Sequence, residues 1–149
     1  MSTFSIIADI ATVLAFSITI WQLLSLKKMI KSREEKAKKQ QMKSIYLASV
    51  SEALELIGSI QNYLISCEDR LALLRMEDLN KVLLEIRDEP EVKKNARDNF
   101  PKLINDFVQR KISLRDSISR KESYDSRFLK ENLQYIHDNL KLVQKYLKK

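Results

Sequence analysis

Residues 4–26 read FSIIADIATVLAFSITIWQLLSL, and the reading of this stretch decides the fold. It holds 23 residues and a single charge, Asp9. Wound as a helix it is about 34 Å long, enough to cross the roughly 30 Å hydrocarbon core of a bilayer with some tilt. A secretory leader carries its positive charges before the apolar part and small residues at the cleavage point. Here no Lys or Arg precedes the run. Eight follow it: Lys27, Lys28, Lys31, Arg33, Lys36, Lys38, Lys39 and Lys43. Opposed only by Glu34 and Glu35, that stretch carries +6. Basic flanks stay on the cytoplasmic side. The sequence therefore predicts a single-pass protein of the inner (cytoplasmic) membrane, its N-terminus outside and its C-terminal domain in the cytoplasm. Trp21 falls just before the basic flank, at the depth of an interfacial anchor. A buried core helix is the competing reading, and a helix apolar over this length with one basic flank is unusual in so small a chain.

Within the stretch, Ser5, Asp9, Thr12 and Thr19 fall within about 80° of one another on a helix, with Phe16 among them. Lipid cannot satisfy a carboxylate or hydroxyls, so this side is expected to face protein or water. Two arrangements follow. In one, copies pack with Ser and Thr bonding across helices, although those hydroxyls also bond back to their own helix. In the other, copies ring a wet lumen with Asp9 near its outer mouth.

The division expected is 1–26 as a transmembrane helix, 27–43 as a basic juxtamembrane stalk and 44–149 as a helical domain. The chain has one Gly and two Pro. Such a scarcity of turn formers argues against sheets and for long helices, so the fold class is all-α. Tyr46, Val50, Ala53, Ile57, Ile60, Leu64, Cys67, Leu71 and Leu74 alternate steps of three and four. Leu129, Leu133, Ile136, Leu140, Val143 and Leu147 do the same. Both are seams that pack helices at shallow angles. Asn99-Phe100-Pro101 is a helix start signal. Ser66 to Asp69 has the form of a capping box, yet the first seam runs straight through it. Helices are predicted over 44–74, 76–88, 101–120 and 123–148, with Cys67 buried on the seam.

Absences narrow the chemistry. One Gly excludes a Gly-rich phosphate loop. One Cys and one His cannot build a zinc site within a single chain, so no metal and no cofactor is expected. The basic run from Lys27 to Lys43 is read as lipid-binding, since each lysine near an anionic leaflet adds about 1 kcal/mol of attraction. Residues 44–149 carry 19 basic and 17 acidic groups, a weak footprint for nucleic acid. Arg110, Lys111, Arg115, Arg120 and Lys121 form a loose basic cluster in the sequence.

The string Lys130-Glu131-Asn132-Leu133-Gln134-Tyr135-Ile136-His137 resembles the motif of helical HEPN ribonucleases, an Arg often followed by Asn and then a His. Asn132 and His137 match that spacing, and Glu131 stands at the Arg position. The resemblance implies paired protomers that cleave RNA. A carboxylate at Glu131 would repel the phosphate that the Arg should hold, so the chain is read as no enzyme.

In layout, the chain resembles the small single-pass membrane accessory proteins of RNA-targeting type VI CRISPR systems. That resemblance implies a homo-oligomeric membrane pore in antiviral defence, with an RNA-guided nuclease or RNA as partner. Expected partners are thus membrane lipid and further copies of the chain, and no small-molecule substrate is evident. The alternatives are a membrane-tethered helical scaffold and a HEPN-like protein that binds or cleaves RNA.

Overall fold

A computed structural model describes the backbone of residues 3–148 and the side chains of residues 15–148. All regular structure among these residues is helical: α1 (Thr3–Ile65), α2 (Asp69–Arg87), α3 (Pro90–Asn95), α4 (Phe100–Arg120) and α5 (Arg127–Leu147). The chain divides into an N-terminal unit, Met1–Met42, and a C-terminal unit, Lys43–Lys149.

In the N-terminal unit the backbone is helical through the apolar run and the basic run alike, as nothing in either breaks a helix. The predicted transmembrane helix is not supported. Among the described residues no helix is long and apolar enough to cross a membrane. Lys27 and Lys28 then end the apolar run. The inner-membrane, single-pass placement is corrected accordingly, and with it the outside-to-cytoplasm orientation that depended on the span.

The C-terminal unit is built on the two seams. Val50, Ala53, Ile57, Ile60 and Leu64 of α1 are buried in one core with Leu129, Leu133, Ile136, Leu140, Val143 and Leu147 of α5. Ala72, Met76, Leu79, Val82, Leu83 and Ile86 of α2, Val92 of α3 and Phe100, Leu103, Ile104, Phe107 and Leu114 of α4 join it. α4 packs against both α2 and α5, and the short α3 packs against α5 and α2. Tyr46 donates a hydrogen bond from its hydroxyl to Glu89, and Gln144 Nε2 donates to Ser51 Oγ at 3.1 Å. Lys111 Nζ reaches Glu77 Oε2 at 2.7 Å, tying α4 to α2.

The first seam stops where its spacing does not. Cys67 adopts a left-handed backbone, φ 57°, and the Glu68 N–H donates to Tyr63 O at 2.9 Å. This six-to-one bond closes the end of α1 as in a Schellman turn. The chain reverses there, so Cys67, Leu71 and Leu74 are exposed rather than buried, and Ala72 and Met76 take the inward register. No side chain caps α2, so the Ser66 box is not formed. Lys121, φ 58°, ends α4 in the same way, with Glu122 N–H donating to Ser117 O at 2.9 Å. α5 then starts at Arg127, later than the spacing predicts, because the Asp125 carboxylate accepts the Arg127 backbone N–H at 3.1 Å.

An L-residue in the left-handed region is strained by about 1–2 kcal/mol, whereas Gly is at ease there. Cys67→Gly is therefore expected to stabilise the C-terminal unit by about 1 kcal/mol. Thermal unfolding checks this, and an unchanged or lower midpoint would show that the turn is not strained.

Candidate functional site

The side chains of Ser5, Asp9 and Thr12 lie outside the described residues. Of the predicted polar stripe, Phe16 and Thr19 remain, both exposed. Thr19 Oγ1 donates to Ala15 O at 2.8 Å, so its hydroxyl is satisfied within its own helix and asks for no partner across an interface.

What stands out instead is apolar surface. Nine large hydrophobic side chains between Phe16 and Ile30 are exposed, with Trp21 at 69%. They are not gathered on one face. Phe16 and Leu23 point one way, Ile18 and Met29 another, Trp21 and Leu24 a third, by helical spacing. Together they present on the order of 1,000 Å² of apolar surface, more than the roughly 300–600 Å² of the largest patch on a typical monomer. Behind them Lys27, Lys28, Lys31, Arg33, Lys36, Lys38 and Lys39 are exposed and Lys43 is half-buried.

The HEPN-like positions are set apart by the helix. Asn132 is buried, and its Nδ2 donates to Leu103 O on α4 at 3.1 Å. His137, five residues on and so about 140° around the helix, is partly exposed with Nδ1 3.3 Å from Asp138 Oδ1. Asn132 thus ties α5 to α4. Asn139, which sequence reasoning did not single out, does similar work: it accepts the Arg97 backbone N–H at 2.9 Å and donates to Tyr135 O at 2.8 Å. Its place in the second seam's register was the available signal. The loose basic cluster is also dispersed. Arg110 lies 5.5 Å from the Phe128 ring centroid, Lys111 pairs with Glu77, and Arg115 lies 3.8 Å from Asp116.

His137→Ala is expected to change stability by no more than about 0.5 kcal/mol, as for other surface positions without a buried partner. Thermal unfolding reads this, and a larger loss would place His137 in the packing.

Among the described residues no three His, Cys, Asp or Glu side chains group as metal ligands. Surface clefts among the described residues include ones of about 420 and 400 Å³, and one of about 210 Å³ lined by Arg87, Lys93, Arg97 and Phe100. Asp88 pairs with Arg87 at 2.9 Å and Lys93 at 3.3 Å, and those bonds keep its carboxyl below the usual range. Asp125 is drawn down to about 2 by its hydrogen bonds with Arg127. These are surface pairings and assemble no acid–base couple.

The chain matches no known protein family, and no curated protein or solved structure is detectably similar to it.

Proposed function

We propose that the chain is a homo-oligomeric helical scaffold whose copies join through residues 15–30 of α1. The observation that carries this reading is the all-round exposure of Phe16, Trp21, Leu24 and their neighbours. An apolar helix without a polar face needs cover on every side. One partner helix covers one side only, so the reading implies three or more copies. Joining copies multiplies the C-terminal unit, and multivalent display strengthens weak contacts without any new surface. The reading assigns no reaction. A pore requires a membrane span, so that expectation is not carried forward. The HEPN-like reading is not favoured, since Glu131 stands where the phosphate-holding Arg would be and Asn132 is buried.

The one tryptophan of the chain, Trp21, lies inside the proposed interface and reports on it. At high protein concentration its emission is expected to be blue-shifted and shielded from a soluble quencher, becoming exposed on dilution. Emission from a fully wet indole at every concentration would overturn the reading.

A further inference from the structure

Nearly all the excess charge of the chain sits on one stretch of one helix. The chain is net +7, and residues 27–43 of α1 are +6. Lys27, Lys28, Lys31, Arg33, Lys36, Lys38 and Lys39 are all exposed. In the C-terminal unit Arg75, Arg87, Lys93, Lys111 and Arg127 have carboxylate partners. Among the described residues none of the seven has one, although Glu34 and Glu35 lie in the same stretch. The seven are strung along about 18 Å of helix. Charges this close on one rod repel one another and hold counterions, and an anionic partner relieves the repulsion.

Their placement says which anion fits. At 100° per residue the seven spread over about 240° of the helix circumference. A flat leaflet reaches one side of a helix, and an interfacial helix needs an apolar face to sink into it. Met29, Ile30 and Met42 point about 100° or more apart, so there is no such face. A single strand of nucleic acid is held by stacking its bases on aromatic rings, and residues 27–43 contain none. The major groove of duplex DNA is about 12 Å wide, admits a helix of about 10–12 Å, and flanks it with phosphates on both sides. The deep, narrow major groove of duplex RNA does not admit one.

We propose that residues 27–43 bind double-stranded DNA, the helix seated in the major groove with its cations on the phosphates of both strands. Seven of the eight cations are lysines, point charges rather than planar forks, so the contact reads no sequence. Six of the eight lie beyond Ile30, clear of the association through residues 15–30, and the contact does not depend on that association.

Fluorescence anisotropy of a labelled DNA duplex of arbitrary sequence, titrated with the full chain, tests the site. Affinity is expected to fall about five-hundredfold between about 50 and about 200 mM salt, the dependence for about five neutralised phosphates. Lys31→Gln, Arg33→Gln, Lys36→Gln and Lys39→Gln together are expected to weaken binding at least about tenfold at the lower salt and to flatten that dependence. All four side chains are exposed and Gln is a good helix former, so the fold is kept. A second chain loses the same charge from exposed lysines of the C-terminal unit, through Lys94→Gln, Lys102→Gln, Lys141→Gln and Lys145→Gln. Its affinity is expected to change less than about threefold. Duplex RNA and vesicles of anionic lipid are each expected to bind at least about tenfold more weakly than duplex DNA. Absence of DNA binding at the lower salt overturns the proposal, as does equal weakening by the two quadruple variants. So does duplex RNA or a vesicle bound as tightly as DNA, the outcome expected if the segment serves another polyanion.

Discussion

Phe107→Ala is expected to remove about 3–5 kcal/mol of stability, a large part of the 5–15 kcal/mol that a domain commonly has. Phe107 is fully buried on α4, the helix that packs against both α2 and α5. Truncating its ring forfeits the transfer of an aromatic side chain and leaves a cavity that helices on two sides cannot both collapse to fill. Urea unfolding followed by helix content measures the loss. A shift below about 1 kcal/mol would mean that α4 does not lie at the centre of the C-terminal unit.

A second large effect is expected at the N-terminal unit from a doubly changed chain, Leu23→Glu with Leu24→Glu. Both leucines are exposed in the single copy, so neither change disturbs packing there. In an assembly both would be covered, and each buried, unpaired carboxylate costs about 3–5 kcal/mol. Association is therefore expected to weaken by at least about a hundredfold. The C-terminal unit, whose core contains neither residue, should melt as before. An assembly that survives the double change would place the contact elsewhere.

The sequence announces the helical class because Gly58 is its one glycine and sheets need more turns than such a chain can make. The inward faces of α1 and α5 are equally legible, since every member of the two seams from Val50 to Leu64 and from Leu129 to Leu147 is buried. The break after Ile65 was not. Apolar spacing is blind to a reversal when both sides of the turn remain apolar, and the residue that turns the chain, Cys67, is no glycine. The register of α2 was misread for that reason, with Leu71 and Leu74 outward and Ala72 and Met76 inward. The late start of α5 turns on one side-chain bond from Asp125, which no periodicity reveals.

The candidate site was legible as composition and not as use. Apolarity through Phe16 to Ile30 says that the helix needs cover, and the exposure of those side chains on every side is what the proposed association would bury.

Sedimentation equilibrium of the full chain in detergent-free buffer tests the central claim most directly. One chain weighs 17.5 kDa. The account predicts a mass of three or more chains for the native sequence and of a single chain for the Leu23→Glu, Leu24→Glu variant. A native chain that sediments as a single copy, or one that leaves solution unless lipid or detergent is present, would contradict it.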